Sequence, residues 1–305
     1  MTPRIHLGVN TCFAVKRWPE PDAWISLVTE DLGLRDCQFC LDLVDPLLED
    51  AATRPYAEAV RNKAGAAGLN VHSTFSGLAA YSWSQLLHPD ATMRAAAMRW
   101  YERAINFTSA IGAAFGGGYV GALSVRDAGN MTRRSTLLQD LGQRLYALSL
   151  YAAESGLRGL LVENMAVPRE WGHTIEEAHA LTAMGAPSGA PLVLCLDVGH
   201  PCPLHTGTTS DDPAAWLREP WAQTPVVHLQ QTDRSGDHHW PFTDAFNTIG
   251  LIHAEPILEA IRQWPAEDVY LFLEVIHPFE VADEIVLRDL RASVQYWRDA
   301  LKAIT

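Results

Sequence analysis

Four short apolar runs in the second half of this chain each end in a side chain that can bind a metal ion. They are LLVE at 160–163, VLCLD at 193–197, PVVH at 225–228 and YLFLE at 270–274. Buried parallel strands have continuous hydrophobic sequences, and α/β folds bind ligands at the carboxyl ends of such strands. One polar strand end is ordinary, since it can cap the strand or anchor a loop. Four of them, Glu, Asp, His and Glu, together indicate a divalent-metal site.

Strand-like apolar runs alternate with amphipathic, helix-like segments along the whole chain. The predicted strands are 5–11, 37–43, 70–74, 114–121, 159–163, 192–197, 226–230 and 269–275. The clearest helical segments are 23–32, 92–112, 135–156, 254–264 and 285–301. Strict alternation predicts a parallel sheet, and eight strands are the number that closes into a (β/α)8 TIM barrel. We therefore predict an α/β fold, with one TIM-barrel domain over residues 1–305.

An open doubly wound sheet is the alternative arrangement of the same elements. It normally has a glycine-rich phosphate-binding turn after its first strand. The corresponding turn here reads NTCFAV at 10–15, without glycine. The Gly116-Gly117-Gly118 run lacks the spacing of that motif and suits a close backbone approach near a strand end. The barrel is therefore the predicted fold.

Composition and charge are those of a compact globular protein. Hydrophobic residues make up 48 % of the chain, and a formal net charge of −13 disfavours binding to nucleic acids or anionic membranes. Residues 1–6 lack the apolar core of a signal peptide, and no apolar stretch is long enough to span a bilayer, so we expect a cytoplasmic protein. Cys37 and Cys40 match a Cys-x-x-Cys pattern, but residues three apart on a strand point to opposite faces. We interpret both as core residues.

The four strand-end residues are Glu163, Asp197, His228 and Glu274. The last four strands of a barrel are neighbours, so these side chains are predicted to converge on one side of its mouth. Carboxylates with one imidazole suit Mn²⁺, Mg²⁺ or Co²⁺ better than a metal that prefers thiolates. Three carboxylates would repel one another without a cation, so we expect one bound divalent metal ion per chain.

Two strand-to-helix connections are long enough to carry function. They span 202–220 and 232–250, and the second contains DHHWPF at 237–242. Such loops surround the active site of a barrel. His238 and His239 are adjacent, so only one of them can face the pocket on an extended backbone. We discount both as metal ligands.

Three more polar residues are candidates for binding a substrate. His200 follows the sixth-strand carboxylate by three residues, and Arg234 follows the seventh-strand histidine. His72 lies near the end of the third predicted strand and could face the same cavity. Alternatively, His200 is a loop histidine bonded to the backbone, Arg234 forms a surface salt bridge, and His72 is a core histidine.

The order of the strand-end residues resembles that of a known superfamily. It reads Glu, Asp-x-x-His, His and Glu, with an Asp-Arg pair shortly after the ligand histidine. This is similar to the xylose-isomerase-like barrels, and more closely to the ketose 3-epimerases typified by D-tagatose and D-allulose 3-epimerase, including sugar-phosphate 3-epimerases. The resemblance implies that Glu163 and Glu274 bind the metal and act as acid and base, while Asp197 and His228 complete the metal shell. It further implies that His200 and Arg234 contact the ketose oxygens.

The chemistry that the resemblance implies is proton transfer at the carbon next to a ketone. A cation bound by the ketone oxygen and a neighbouring hydroxyl stabilises the enediolate that forms when the proton leaves. One carboxylate removes the proton from one face, and the other returns it to the opposite face, which inverts the carbon. An aldose–ketose isomerase on the same scaffold is the alternative, and it returns the proton to the adjacent carbon. Two glutamates on opposite sides of the pocket favour epimerisation.

The chain departs from the ketose epimerases around the expected substrate site. Those enzymes commonly have a further substrate-binding glutamate shortly after the strand-five ligand, and Glu170, beside Arg169, is the candidate for that role in a shifted loop. Lys16 and Arg17 follow the first strand, near the same mouth. With Arg169 and Arg234 they would form a basic cluster suited to a phosphate group. A short ketose phosphate is therefore a substrate candidate beside free ketoses, although Lys16 and Arg17 could equally form a solvated turn.

Two other functions are possible on the same barrel. An endonuclease-IV-like phosphodiesterase normally holds several metals with more histidine ligands, and the acidic charge opposes DNA binding. A non-enzymatic sugar- or metal-binding barrel would bind its ligand without turnover. The predicted partner is a small sugar or sugar phosphate, with no nucleic acid and no membrane, and the resemblance implies a homodimer or homotetramer.

Overall fold

The parallel strands of the chain close into a barrel. The computed structural model describes residues 2–219 and 226–304. Its strands are β1 (Arg4–Asn10), β2 (Asp36–Cys40), β3 (Asn70–Phe75), β4 (Phe115–Gly118), β5 (Gly159–Glu163), β6 (Leu192–Asp197), β7 (Val226–Leu229), β8 (Gln231–Asp233), β9 (Gly236–Trp240) and β10 (Asp268–Leu273). Eight of them form a closed barrel in the order β1-β10-β7-β6-β5-β4-β3-β2. The predicted (β/α)8 TIM barrel is confirmed.

Helices lie between the barrel strands. They are α1 (Pro21–Ser26), α2 (Asp50–Ala67), α3 (Leu78–Tyr81), α4 (Ala91–Ile111), α5 (Val125–Ala128), α6 (Met131–Glu154), α7 (Ile175–Thr182), α8 (Pro213–Arg218), α9 (Asp244–Ile249), α10 (Ala254–Ile261) and α11 (Asp283–Ile304). Local capping residues set several of their limits. Asp90 accepts hydrogen bonds from the first turn of α4, and Gly112 ends that helix with a φ of 82°. The long helices α4, α6 and α11 therefore begin and end close to the predicted segments.

The chain groups into two compact units. The first comprises Met1–Gln38, Ala64–Asn70 and Cys195–Thr305. In it, β1 pairs with β10 in parallel from Arg4 opposite Asp268 to Val9 opposite Leu273. The strand β10 also pairs with β7. This unit therefore contains the contact between the first and the last strand of the barrel.

The second unit comprises Phe39–Lys63 and Val71–Leu194. Its strands β3, β4 and β5 pair in parallel and in chain order. The buried residues Leu137, Leu141 and Leu148 form the apolar stripe of α6 at helical spacing. That residues 1–305 make a single domain stays a prediction.

The strand β4 ends earlier than the apolar pattern predicts. The expected strand was 114–121, whereas β4 spans Phe115–Gly118. Gly117 has a φ of 153°, and a Cβ there would lie 2.7 Å from the backbone nitrogen of Leu161. The glycine run therefore serves the close backbone approach that its sequence indicates.

A short antiparallel hairpin, β8–β9, was not predicted. It lies in the segment 232–250, which the sequence indicated as an irregular connection, and it pairs Gln231 with Trp240 and Asp233 with Gly236. Its strands are short and polar, so the apolar-run criterion could not detect them. Pro220, at the end of the other long connection, and Pro225, at the start of one apolar run, lie outside the described residues.

The two cysteines of the Cys-x-x-Cys pattern form no disulfide bond, and both are buried. Burial raises the pKa of the Cys37 thiol above its ordinary value, with a smaller contribution from Asp36. Their interpretation as core residues is confirmed.

Within residues 2–219 and 226–304, no helix is long and apolar enough to cross a membrane.

Gly8 in β1 lies where a side chain does not fit. A Cβ there would lie 2.5 Å from the carbonyl oxygen of Asp36 and 2.7 Å from Cε1 of Phe272. We expect Gly8→Ala to lower the free energy of unfolding by about 1–3 kcal/mol, because the strands must shift to relieve the overlap. Urea unfolding monitored by circular dichroism measures this change.

The matched control is Gly65→Ala in α2, where a Cβ would meet no heavy atom within 4 Å. This substitution should raise the free energy of unfolding by about 0.5–1 kcal/mol, since alanine is the better helix former. If Gly8→Ala unfolded at the wild-type urea concentration, the packing described for β1 would be contradicted.

Candidate metal centre

Strand ends bring the predicted metal-binding side chains together. Asp197, the last residue of β6, is in register with His228 of β7. The backbone N–H of Glu274, just after β10, donates to the carbonyl oxygen of Leu229 at 2.9 Å. Glu163, Asp197, His228 and Glu274 are all buried, and each offers one ligand atom within 4.8 Å of the others. Four side chains that are far apart in sequence thus form one candidate metal centre.

Hydrogen bonds to His228 select which of its ring nitrogens can bind a cation. Its Nε2 lies 2.6 Å from Oε1 of Gln38, and the same oxygen accepts from Nδ2 of Asn10 at 2.8 Å. Because Oε1 of Gln38 is an acceptor, the neutral imidazole carries its proton on Nε2. Its Nδ1 lies 3.0 Å from Oε2 of Glu274, and in the neutral ring it is the nitrogen that offers a lone pair to a cation. This is the tautomer that a metal ligand requires.

Asn10 and Gln38 are site residues that the sequence analysis missed. Nδ2 of Asn10 also donates to Oε1 of Glu274 at 2.9 Å, so one amide orients both the glutamate and the partner of the histidine. Asn10 ends β1, and Gln38 is the middle residue of β2. The rule that a polar residue near the end of an apolar run marks the site would have found Asn10, but it would have missed Gln38, which lies near the start of the predicted strand 37–43.

The Asp197 carboxylate is held by the loop that follows β6. Its Oδ1 accepts from the backbone N–H of Gly199 at 2.7 Å and from that of His200 at 3.1 Å. Nε2 of Gln230 lies 3.2 Å from each carboxylate oxygen. These donors orient the carboxylate.

Opposing effects act on the ionisation of Glu274. Burial raises its pKa, but the nearby His228, His239 and His200 outweigh burial and lower the pKa of Glu274 below its ordinary value. The carboxylate is therefore ionised at neutral pH, which is the form needed either to bind a cation or to accept a proton.

The β8–β9 hairpin adds Asp237 to the site, a residue that the sequence analysis did not single out. Oδ2 of Asp237 lies 3.2 Å from Nε2 of His200 and 3.3 Å from Nε2 of His239. Burial raises the pKa of Asp237, but the two histidines outweigh it and hold that pKa well below its ordinary value. The hairpin thus places an ionised carboxylate between two imidazoles.

The two adjacent histidines of the hairpin have different environments. The His238 ring stacks on Trp240 with centroids 4.0 Å apart. His239 lies 3.1 Å from the carbonyl oxygen of Glu274 through its Nδ1. The prediction that only one of the pair faces the pocket is confirmed. His239 lies within a second group of potential ligands with Asp197 and His200, whose atoms also lie within 4.8 Å of one another, and its exclusion as a ligand stays a prediction.

Glu163 has a neutral phenol near it. Burial, and then the charge of Glu163, raise the pKa of Tyr101 in α4 above its ordinary value. The Tyr101 hydroxyl donates to the carbonyl oxygen of Tyr119. Glu163 itself is 6 % exposed, at the end of β5.

Glu170 is buried in the loop after β5. Only 6 % of its surface is exposed, and it forms an isolated bridge with Ala122. Burial raises the pKa of Tyr119, and the charge of Glu170 raises it further. A substrate-binding role for Glu170 stays a prediction, but its burial agrees with a carboxylate that faces a closed site.

His72 does not lie with the strand-end residues. Ser73 pairs with Phe115, and Phe115 pairs with Gly159, the first residue of β5, whereas Glu163 is the last. The His72 ring stacks on Phe115 with centroids 5.0 Å apart. His72 therefore lies toward the amino end of its strand, and the alternative role as a core histidine fits it.

The basic residues after β1 are not a free cluster. The guanidinium of Arg17 donates at 2.8 Å to the carbonyl oxygens of Val281 and Pro278 and pairs with Asp283, so it anchors the segment after β10. Its predicted role in phosphate binding is not supported. Nζ of Lys16 lies 4.2 Å from the centroid of the Phe279 ring. Two other predicted cationic residues are exposed, Arg169 and Arg234.

Comparison with known proteins agrees with this geometry. The model of the family described as "Xylose isomerase-like TIM barrel" matches residues 28–301. The chain belongs to this family. The resemblance deduced from the order of the strand-end residues is therefore confirmed.

Three relatives show how far the similarity extends. D-erythrulose 1-phosphate 3-epimerase of Brucella abortus (strain 2308) is 28 % identical over 295 residues, which are 95 % of this chain and 94 % of the relative. A crystal structure from Rhodospirillum rubrum ATCC 11170, provisionally assigned as a xylose isomerase, is 33 % identical, with a TM-score of 0.88 over 97 % of this chain and 99 % of the other. D-allulose 3-epimerase from Methylomonas sp. shares the fold at 16 % identity, with a TM-score of 0.68 and coverage of 99 % and 97 %.

The contact between Gln38 and His228 yields a test of the metal centre. Gln38→Met keeps a side chain of similar length but removes the acceptor for Nε2 of His228. We expect divalent-cation affinity to fall by about 10–100-fold, the usual effect of losing such an outer partner. Isothermal titration of EDTA-treated protein with Mn²⁺ measures the dissociation constant.

The matched control is Gln295→Met, the same change at an exposed position of α11. It should leave Mn²⁺ affinity at the wild-type value. Equal affinities for the two variants would show that Gln38 does not support a metal ligand.

Proposed function

We propose that this protein is a divalent-metal-dependent 3-epimerase of a ketose or a short ketose phosphate. The observation that carries the proposal is the buried cluster of Glu163, Asp197, His228 and Glu274, with its two glutamates on different strands. The similarity to D-erythrulose 1-phosphate 3-epimerase over nearly the whole chain supports both the reaction and a phosphorylated substrate.

The ligand set fits Mn²⁺, Mg²⁺ or Co²⁺. Carboxylate oxygens and one imidazole are the donors that such cations accept. A hydrogen bond from Asn10 orients Glu274, and one from His228 to Oε1 of Gln38 orients the imidazole. When bound, the cation supplies Lewis-acid stabilisation of the negative charge that develops on the ketose oxygens. We assign all four residues of the cluster to this role.

Proton transfer is assigned to Glu163 and Glu274. One of them removes the proton from C3 of the ketose, and the other delivers a proton to the opposite face of the same carbon, which inverts it. The lowered pKa of Glu274 keeps this residue ionised at neutral pH. Asn10 fixes the orientation of its carboxylate through Oε1 and leaves Oε2 toward His228.

Residues outside the metal shell are assigned to substrate binding. Glu170, buried in the loop after β5, is suited to accept a hydrogen bond from a sugar hydroxyl. The exposed cations Lys16, Arg169 and Arg234 are suited to a phosphate group, whose charge an exposed ammonium or guanidinium can neutralise. We also propose that the chain assembles as a homodimer or homotetramer.

An aldose–ketose isomerase is the second candidate. The structural relative from Rhodospirillum rubrum, at 33 % identity, has a provisional assignment to that class. Both reactions begin with removal of a proton next to the carbonyl group. They differ in the carbon that receives the proton, so the position of solvent-derived hydrogen in the product distinguishes them.

Substitution of the glutamates should mainly lower turnover, whereas substitution of His228 should mainly lower Mn²⁺ affinity. We expect Glu163→Gln and Glu274→Gln to lower kcat by about 10²–10⁴-fold, because each removes a proton-transferring group. His228→Ala should instead raise the dissociation constant for Mn²⁺ more than either glutamine variant does, since the imidazole only binds. Steady-state kinetics at saturating Mn²⁺, with parallel Mn²⁺ titrations, separate the two effects.

Exposed Glu259→Gln in α10 is the control and should behave as wild type. If the Glu163 and Glu274 variants lost Mn²⁺ affinity but recovered full kcat at saturating Mn²⁺, these glutamates would be ligands without a role in proton transfer.

A substrate panel in D₂O tests the reaction itself. Free and 1-phosphorylated ketoses of four to six carbons are incubated with the Mn²⁺-loaded protein and followed by NMR. We expect inversion at C3 with deuterium at that carbon, and faster turnover of a phosphorylated ketose. EDTA should abolish the exchange, and Mn²⁺ or Mg²⁺ should restore it. Deuterium only at C1, with an aldose as the product, would replace the epimerase assignment with the isomerase.

A further inference from the structure

We infer that Glu177 in α7 is a positioning residue for Glu170, and that its carboxylate clamps the loop after β5. The inference rests on the proposed function, in which Glu170 accepts a hydrogen bond from a sugar hydroxyl, and it adds the group that holds Glu170 in place. The loop runs from Glu163, at the end of β5, to Ile175, at the start of α7. The Glu177 side chain is 12 % exposed, so it is largely withdrawn from solvent beside this loop.

Glu177 has the sequence position of a helix-capping residue. Residues 174–177 read TIEE, which is the spacing of a capping box. The Thr174 side chain accepts from the backbone N–H of Glu177 at 3.2 Å, and this contact is one half of that motif. In the other half, the carboxylate reaches back to the backbone N–H of the capping residue. Here Oε2 of Glu177 reaches two residues further, to the backbone N–H of Gly172 at 3.2 Å, so the carboxylate binds the loop.

His173 connects the Glu177 carboxylate to the backbone of Glu170. Its Nδ1 lies 2.8 Å from Oε2 of Glu177 and 3.1 Å from the carbonyl oxygen of Glu170. Because a carbonyl oxygen can only accept, Nδ1 carries a proton and donates it toward both acceptors. The imidazole is therefore a bridge between the helix and the residue assigned to substrate binding.

Gly172 closes the loop against the end of β5. Its carbonyl oxygen accepts from the backbone N–H of Met165 at 3.4 Å. Gly172 has a φ of 108°, and a Cβ there would lie 3.0 Å from the carbonyl oxygen of Glu163. A side chain at this position would be strained and crowded, so glycine allows the close approach. The contact from Glu177 thus acts at the point where the two ends of the loop meet.

Arg134 fixes the Glu177 carboxylate from the side of α6. Its guanidinium donates to Oε1 of Glu177 at 2.8 Å, which leaves Oε2 for the loop. The same guanidinium lies 5.4 Å from the centroid of the Trp171 ring, beside Glu170 in the chain. Charge-assisted hydrogen bonds of this kind orient a carboxylate firmly. The clamp is therefore oriented before any substrate binds.

Backbone contacts hold Glu170 on its other side. Ala122, in the connection after β4, forms an isolated antiparallel bridge with Glu170. The backbone N–H of Leu123 donates to the carbonyl oxygen of Arg169 at 2.8 Å. A binding side chain has to be held within about 0.5 Å of its productive position by the groups around it. Loss of the contacts through His173 should therefore weaken substrate binding.

Kinetics separate a positioning role from a purely structural one. Glu177→Ala removes both acceptor oxygens, and we expect KM for a 1-phosphorylated four-carbon ketose to rise about 10–100-fold, the usual effect of disturbing a hydrogen bond to a charged group. Because Glu170 would bind the ground state and the transition state alike, kcat should stay within about threefold of the wild type. Glu177→Gln, which keeps one acceptor oxygen, should recover part of the loss. Deuterium uptake at C3, followed by NMR, gives the rates.

A double-mutant cycle shows whether Glu177 acts through Glu170. In a Glu170→Ala background, Glu177→Ala should leave KM unchanged, because the side chain that it positions is already gone. Separate effects that multiply, or a wild-type KM in Glu177→Ala alone, would overturn the inference. His173→Ala removes the donor to the Glu170 carbonyl oxygen and supports the same cycle if Glu177→Ala does not fold.

Hydrogen–deuterium exchange reports on the clamp without substrate. Peptides within 165–174 should exchange about tenfold faster in Glu177→Ala, because the amide of Gly172 loses its acceptor. The matched control is Glu176→Ala, which changes an exposed glutamate of the same helix and should keep the wild-type exchange and KM. Exchange at the wild-type rate in folded Glu177→Ala would also overturn the inference.

The outcome is separable from that of the proposed function. If the wild type turned over no ketose, the proposed reaction would fail, and faster exchange in Glu177→Ala would still show that Glu177 holds the loop. Epimerisation at C3 with an unchanged KM in Glu177→Ala would support the reaction and refute the positioning role.

Discussion

The hydrogen bond between Gln38 and His228 determines the chemistry of the whole centre. At 2.6 Å it places a proton on Nε2 and leaves Nδ1 as the nitrogen that a cation would use. The partner oxygen is itself held by Asn10, which also orients Glu274. One chain of amide contacts, which begins at the end of β1, thus links the first strands of the chain to ligands from its last third. The closed barrel makes this possible, because it hydrogen-bonds β1 to β10 and to β2.

The candidate site combines residues from the regular barrel strands with residues from a short hairpin. The residues of the candidate metal centre lie on barrel strands or just after them, and strand pairing fixes their heights, as the register of Asp197 with His228 shows. The hairpin β8–β9 carries Asp237 and His239. Side chains on paired strands are positioned more firmly than side chains on open loops. The hairpin after β7 therefore holds these two side chains more firmly than an irregular loop would.

Much of the fold was predictable, because buried parallel strands have a strong signal. The limits of β5 and β6 agree with the apolar runs at 159–163 and 192–197. The signal failed where glycine replaced apolar side chains, in β4, and where strands were short and polar, in the hairpin. For the site, strand ends identified Glu163 and its three partners. The contacts of Arg17 could not be predicted, because residue type does not reveal whether nearby carbonyl groups already accept hydrogen bonds from a guanidinium.

The sequence by itself determined the fold class and the set of candidate metal-binding residues at the strand ends. Both follow from local patterns, namely apolar runs of strand length and the polar residue that stops each run. Only the tertiary structure decided which nitrogen of His228 would face a cation, that His239 lies beside Asp237 and Glu274 while His238 stacks on Trp240, and that His72 stays in the core. These outcomes depend on contacts between residues far apart in the chain, such as Gln38 with His228. Hydrogen-bond partners of that kind become neighbours only when the barrel closes.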